Sequence, residues 1–319
     1  MTVIKPIIEE STLVTILSDI YCLTEPISCK FLRRSFNDHY SIKSGTKQFI
    51  LRVYINNKNY IRSINDFRFE LDFLEYLFIN KLPVIPPIKS INNQNLCKFN
   101  LNQETVYIAL FSFAKGTAID INLNKDQATN FGEIIAKLHL SSKNFKSKYS
   151  RYCLDVQSLI EEPLQLIGKY AYSFGLGNLS FFDNHSKKLI DRINDLPINN
   201  ETFGIVHGDP NPSNYHFSNE NGFSLFDFDH CAYGYRIHDL AVIRLCFPEK
   251  VYDAILGGYE LIRPLQDIER DCLEVYTDFL LIRKFGDILN MLELTDNDES
   301  KKQLVTQNAL CLLKNMIET

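Results

Sequence analysis

Eight cysteines are present, yet no two of them form a C-x-x-C pair. Scattered from Cys22 to Cys311, they suggest neither a zinc site nor a disulfide framework, and most of them read as buried thiols in a reducing cytosol. Long hydrophobic runs are also missing. No uncharged apolar stretch reaches membrane-spanning length, and the first twenty residues hold Glu9 and Glu10 but no basic segment ahead of an apolar one. Neither a membrane partner nor a secretory leader is expected, which points to a cytoplasmic protein. Positive charge is in short supply: 34 Lys and Arg face 39 Asp and Glu, a net charge of −5. That balance argues against nucleic acid as the main partner, because phosphate contacts need clustered cations. The 319 residues, 45% hydrophobic and 23% charged, suffice for one large or two medium domains with a sizeable core.

Against these absences stands one dense motif. His207-Gly208-Asp209-Pro210-Asn211-Pro212-Ser213-Asn214 is followed about a dozen residues later by Asp227-Phe228-Asp229. The stretch supplies a carboxylate, a carboxamide five positions on, and a second carboxylate after a short apolar run. Moving a γ-phosphoryl group asks little covalent work of a protein; it asks for an oriented hydroxyl and for neutralised phosphate charge. Gly204-Ile205-Val206 reads as a strand leading into the loop, and the Pro and Asn residues that follow cannot continue it. Asp209 is then expected to face a substrate hydroxyl, with Asn214 facing a metal. Ser224-Leu225-Phe226 is expected as the strand that delivers Asp227 beside Asn214. A few hard oxygen ligands completed by phosphates and water suit Mg²⁺.

With these residues in view, the segment from Ile205 to Val242 resembles the aminoglycoside phosphotransferase and choline kinase-like superfamily. The resemblance rests on His-Gly-Asp with Pro212 and Asn214, on Phe226-Asp227-Phe228, and on the run from Gly234 to Asp239-Leu240-Ala241. It implies an α+β, bilobal protein-kinase-like fold with a small mixed N-lobe and a larger, mainly helical C-lobe, and it implies ATP as phosphoryl donor. By the same resemblance Asp209 is the catalytic base or hydroxyl-orienting residue, Asn214 and Asp227 are metal ligands, Asp239 braces the loop, and His207 positions it.

Upstream, the sequence reads as a mixed lobe. Glu9 to Tyr21 has helical spacing with Ser11 as a cap, and strands are expected at Cys29 to Leu32, His39 to Ile42 and Gln48 to Tyr54, with a turn at Lys43 to Thr46. A helix at Ile64 to Leu77 puts Phe67, Leu71, Leu74 and Leu77 on one face, and Tyr107 to Phe113 supplies a further strand. Arg34-Ser35-Phe36-Asn37-Asp38 sits where a nucleotide's phosphates would be covered, although it lacks the glycines of a protein-kinase loop. Ser35, Phe36 and Asn37 either contact phosphate or form a plain connection. Arg52 occupies the position where the family usually has a phosphate-gripping Lys, and Glu70 is its expected partner; the alternative leaves both on the surface. Phe111-Ser112-Phe113 reads as the inter-lobe hinge beside the adenine edge, or as ordinary core strand. The N-lobe is thus expected at 1–113 and the C-lobe at 114–319. Asp126 to Leu140 reads as a core helix, with His139 structural.

Eleven residues separate Asp227 from Asp239, leaving no room for the long activation segment with which protein kinases engage peptides. Asp229 either touches a second Mg²⁺ or makes a salt bridge. His230, Cys231 and His238 read as incidental neighbours of an Asp-rich loop rather than a transition-metal site. From about Val251 onward the pattern is helical and acidic: eleven Asp or Glu face four Arg or Lys between Gly257 and Ser300. Such a lobe focuses cationic ligands, which suggests an amine-bearing hydroxyl substrate; a solvated surface is the alternative. The expected activity is phosphorylation of a small-molecule hydroxyl. A bacterial stress-type protein Ser/Thr kinase and a nucleotide-binding pseudokinase are the competing readings.

Overall fold

The computed structural model describes residues 6–118 and 120–318. Helix α1 (Glu10–Ile20) buries Leu13 and Leu17. Ser11 does not cap it: the N-cap is Glu9, and Glu10 ties the first turn to the sheet by accepting from the Phe31 N–H at 2.7 Å. Strands β1 (Ile27–Arg34), β2 (Asn37–Ser44) and β3 (Lys47–Tyr54) form an antiparallel meander, each a little longer than the sequence suggests. Helix α2 (Ile64–Ile79) starts at a Ser63/Asp66 capping box and buries the expected Phe67, Leu71, Leu74 and Leu77. Strands β4 (Pro87–Ile88), β5 (Cys97–Leu101) and β6 (Glu104–Ser112) complete a sheet in the order β1-β2-β3-β6-β4, with β5 also paired to β6. Strand β6 is the expected strand at Tyr107 to Phe113, but β5 and the turn that joins it to β6 escape sequence reading because Asn102 and Gln103, without glycine, take the positive φ values the turn needs (49° and 69°).

Alternation along the strands gives this sheet two different faces. Tyr40, Ile42, Leu51, Val53 and Leu110 pack against α1 in one apolar core. His39, Arg52 and Phe111 occupy the opposite face, which looks into the cleft between the lobes.

The C-terminal part follows with β7 (Thr117–Ala118), α3 (Lys125–Ser142), β8 (Cys153–Leu154), α4 (Glu162–Ser173), α5 (Asp183–Asn194), β9 (Phe203–Val206), β10 (Tyr215–Ser218), β11 (Gly222–Leu225), β12 (Ala232–Tyr235), α6 (Ile237–Cys246), α7 (Glu249–Ile262), α8 (Asp267–Thr295) and α9 (Glu299–Glu318). In α3 the expected stripe of Ala128, Phe131, Ile134, Ile135 and Leu138 is buried. Helices α3 and α7 cross at a pair of glycines. A Cβ on Gly132 would lie 1.9 Å from the Ile255 carbonyl oxygen, and one on Gly258 would lie 2.0 Å from that of Thr129. Two small sheets, β7-β10-β11 and β8-β12-β9, carry the loops of the motif. A sheet-rich N-lobe on a mainly helical C-lobe is the kinase-like arrangement that the resemblance implies.

Candidate active site

Strand β9 delivers the His207–Asn214 loop, and the loop is held from behind. Asp239, in the first turn of α6, accepts from the backbone N–H of His207 and of Gly208, each at 2.8 Å. The same carboxylate accepts from His139 Nε2 at 2.9 Å, while His139 Nδ1 faces the Tyr259 hydroxyl at 2.8 Å. Burial pushes the His139 imidazole down to about 4, so it stands neutral and donates one proton to Asp239. Burial would raise Asp239, but the His139 bond and the neighbouring imidazoles outweigh it and hold its pKa below the ordinary value. Gly208 is obligatory: its φ is +85°, and a Cβ there would lie 2.1 Å from the His230 carbonyl oxygen. The ring of His207 stacks on Phe228 at 4.1 Å, and its Nδ1 accepts from the Asp209 N–H at 3.3 Å.

Past this brace the loop turns sharply. Asn211 N–H reaches the Asp209 carbonyl (2.9 Å), Asn214 N–H reaches Asn211 (3.0 Å), and Asn214 Nδ2 donates both to the Asp209 carbonyl (2.9 Å) and to its Oδ2 (3.0 Å). Asp209 and Asn214, five apart in sequence, are therefore in contact. Burial raises the Asp209 carboxyl above its ordinary pKa, and nearby Asp227 adds to the rise. Strands β10 and β11 form a hairpin, and Phe226 N–H bonds the Asn214 carbonyl at 2.9 Å, which sets Asp227 beside the loop. Asp227 adopts the left-handed conformation (φ 63°, ψ 58°), unusual for a residue with a side chain but tolerated by Asp.

Arg52 and Glu70 are buried, not on the surface, and paired at 2.5 Å. The other arm of Arg52 reaches Asp227 Oδ1 at 2.9 Å, and its guanidinium lies 5.0 Å from the centre of the Phe111 ring. Burial pushes Asp227 upward, but Arg52 above all, with the His39 and His230 rings, pulls it below the ordinary value. Asp229 makes the salt bridge through one oxygen, while its Oδ1 is buried without a hydrogen-bond partner. Its Oδ2 takes Lys58 Nζ (2.7 Å), Asn37 Nδ2 (2.8 Å) and the Tyr60 hydroxyl (2.9 Å). Lys58, fully buried, was not legible as a site residue, because Asn56 to Asn59 reads as a polar surface connection. The segment around it also fastens the lobes: Asn59 bonds Asp287 (2.6 Å) and Asn290 (2.9 Å) of α8, and Arg62 meets Glu162 of α4 at 2.8 Å.

Between the lobes lies a cleft of about 390 Å³. Leu32, Ile50, Leu74, Ile85, Phe111, Phe113, Ala118, His216 and Phe226 form its apolar walls, with Arg33, His39, Arg52, Ser112, Ser213 and Asp227 among them. Its size and lining are those of a small-molecule site. Phe113 and Phe226 flank His216, with ring centres 6.3 and 5.0 Å from it, giving flat surfaces on which a base can rest. At the hinge, however, Phe113 N–H is held by Gln48 O and the Ala114 carbonyl faces His216 Nδ1, each at 3.3 Å. Of Ser35, Phe36 and Asn37, the side chains of the last two are turned to contacts within the protein. The turn is short, Phe36 packs edge-on against His230 (5.0 Å) and Tyr60 (5.8 Å), and the Asn37 side chain is spent on Asp229 and Lys58.

The donor set fits a hard cation. Asn214 turns its amide nitrogen to Asp209, which leaves Oδ1 with only a long contact to Ser213 (3.4 Å), and Arg52 occupies one oxygen of Asp227, leaving the other. Among the described residues no group of three or more His, Cys, Asp or Glu forms a closed metal site. Two oxygen donors with open positions are what Mg²⁺ held jointly with phosphates requires. Of the eleven acids between Gly257 and Ser300, eight are ion-paired: Glu260, Glu269, Glu274, Asp287, Glu293, Asp296, Asp298 and Glu299. Asp267, Asp271 and Asp278 remain, so the field of that lobe is weaker than its composition suggests.

No helix of the described residues is long and apolar enough to cross a membrane. An uncharacterised protein of Synechocystis, sll1119, is 27% identical over 281 residues, covering 86% of this chain and 77% of that one. Among solved structures, amicoumacin kinase hAmiN in complex with AMP-PNP, Ca²⁺ and Ami superposes with a TM-score of 0.75 at 18% identity, covering 97% of this chain and 93% of that one. The microcompartment-associated aminopropanol kinase gives 0.77 at 17% identity, covering 97% and 98%. These two likenesses establish the shared fold. The sequence pattern of the phosphotransferase enzyme family, APH, matches residues 31–272, which include the cleft, the His207–Asn214 loop and Asp239. The chain belongs to that family, whose members transfer phosphoryl groups to hydroxyls of small molecules.

Proposed function

We propose that this protein is an ATP- and Mg²⁺-dependent kinase that phosphorylates a hydroxyl group on a small, amine-bearing molecule. The observation that carries the reading is the contact of Asp209 with Asn214 beside Asp227, at the foot of a cleft sized for a nucleotide. Asp209, its pKa raised by burial, accepts the proton of the acceptor hydroxyl as that oxygen attacks the γ-phosphorus and the bond to the β,γ-bridging oxygen breaks, ADP leaving with that electron pair. Asn214 and Asp227 are the residues that would hold Mg²⁺, which supplies charge neutralisation on the phosphates. Arg52, anchored by Glu70, exchanges its Asp227 contact for phosphate oxygens when the nucleotide enters. Asp229, through its Oδ2, is the anchor of Lys58, Asn37 and Tyr60. The catalytic lobe is taken as 114–319 and the nucleotide-binding lobe as 1–113.

An amine on the acceptor is supported by acids of this lobe that make no ion pair among the described residues, Asp267, Asp271 and Asp278, and by the fold shared with an aminopropanol kinase. Against a protein substrate stand the eleven residues between Asp227 and Asp239. An ATP-consumption screen over amino alcohols, aminosugars, choline-like alcohols, uncharged sugars and hydroxy acids tests the reading. Turnover is expected with cationic alcohols. Turnover confined to uncharged or anionic alcohols would remove the amine, and label passing only to polypeptides would remove the small molecule.

A further inference from the structure

The phosphates need donors, and the short turn between β1 and β2 is not a glycine-rich loop that could wrap them in backbone N–H groups. It holds no glycine, Ser35 N–H is bonded to the Asn37 carbonyl at 3.0 Å, and Phe36 and the Asn37 side chain are engaged elsewhere. We propose that Arg33 and His39 form, with Arg52, a side-chain cradle for the phosphate chain of a nucleoside di- or triphosphate, replacing the backbone N–H groups of a glycine-rich loop. The inference rests on the nucleotide-binding reading above and adds two residues that the motif does not contain.

Strand register places these residues together. Phe31 pairs with Tyr40 but Arg33 pairs with His39, so Leu32 is an extra residue in β1. Such a bulge re-aims the side chains that follow it. Tyr40 faces the core under α1, so His39 faces the cleft, and the bulge brings Arg33 alongside it. On the other side His39 pairs with Arg52. The three side chains thus stand in a row across neighbouring strands roughly 4.8 Å apart, and through Arg52 the row ends on Asp227 at 2.9 Å. A row of that length meets more than one phosphate.

His39 supplies the independent sign of a missing ligand. The residue is 8% exposed on the cleft wall, and its Nδ1 is buried with no hydrogen-bond partner. Buried polar groups are nearly always satisfied, and leaving one unmade is costly. An imidazole between two guanidinium groups, with no bond of its own in the ligand-free protein, is accounted for once an anion with several oxygens enters the row. Arg52 is already fixed by Glu70 and Asp227, whereas Arg33 is exposed at the cleft mouth and free to close over the outer phosphate.

Calorimetric titration of the full chain with Mg²⁺·AMP-PNP and with adenosine separates phosphate contacts from base contacts. His39→Ala is expected to weaken AMP-PNP by about tenfold or more, the scale of a hydrogen bond to a charged group, while adenosine binds as to the wild type. His39→Gln, which keeps a donor, is expected to recover most of the loss. Arg33→Ala is expected to weaken AMP-PNP several-fold and to flatten its salt dependence. Wild-type affinity for AMP-PNP in His39→Ala, or an equal loss for adenosine, would overturn the cradle while leaving the kinase reading intact. A wild-type protein that binds neither ligand would overturn the kinase reading and the cradle with it.

Discussion

Asp209 meets the Asn214 amide at 3.0 Å and has a carboxyl that burial makes more basic than usual. Removing its charge without changing its shape isolates the proton-accepting role. Asp209→Asn is expected to lower kcat by about 10² to 10⁴-fold, the range for a positioned general base, with Mg²⁺·AMP-PNP affinity near wild type. Steady-state kinetics beside a nucleotide titration make that comparison, and undiminished kcat would remove Asp209 from the chemistry. Asp227→Ala is expected to do the reverse: nucleotide affinity loses its dependence on Mg²⁺, measurable by titration with and without the metal. At this scale the sequence is most informative, because Asp209, Asn214, Asp227 and Asp239 sit at fixed spacing in one run. His39 and Lys58 carry no such mark. Each reaches the site through strand pairing or a long crossing of the chain, which local sequence does not record.

The connection from β3 to α2 is the element whose importance sequence conceals. Its Lys58 and the Asp229 it meets are 0% and 2% exposed, so the pair stands or falls together. Breaking a buried pair from one side strands the other charge, and Lys58→Met is expected to cost about 3–5 kcal/mol of stability. Lys58→Met combined with Asp229→Leu is expected to restore a large part of it. Urea denaturation of the two variants gives the test, and a single variant within about 0.5 kcal/mol of wild type, the scatter of ordinary surface changes, would show that the pair does not carry the connection. Helix α2 and core helix α3 were readable because their apolar residues recur at helical spacing. Strand β5 with its turn into β6, and the short strand β10, were not, since neither an Asn-Gln turn nor four residues provide a signal strong enough to stand alone.

For the whole molecule, four buried histidines link stability to pH. Burial lowers His39, His139 and His238 to about 4 and His230 to about 3, with Arg283 assisting at His230 and His238. The unfolded chain binds a proton at each near pH 6.5, while the folded chain does not until pH is far lower. At these four rings the unfolded state therefore holds more protons between about pH 6.5 and 4, so their contribution to stability is lost as pH falls through that window, set against the opposite contribution of the carboxyls that burial raises, Glu70, Asp209 and Asp287. Melting temperature is expected to be level from pH 8 to 7 and to drop steadily below 6.5. A melting temperature unchanged between pH 7 and 5 would show that these rings are not held neutral in the fold. The bilobal architecture itself was legible from the order of its elements and from the motif. The contents of the acceptor pocket were not, because the acids of α7 to α9 are mostly tied to nearby cations, and composition alone does not show which of them stay free. Phosphorus NMR of the protein with ATP, Mg²⁺ and a panel of amino alcohols addresses the central claim most directly. A new phosphomonoester resonance that appears with one acceptor and disappears in Asp209→Asn is the predicted result; ATP left unchanged with every acceptor, or an ester still formed by Asp209→Asn, would contradict it.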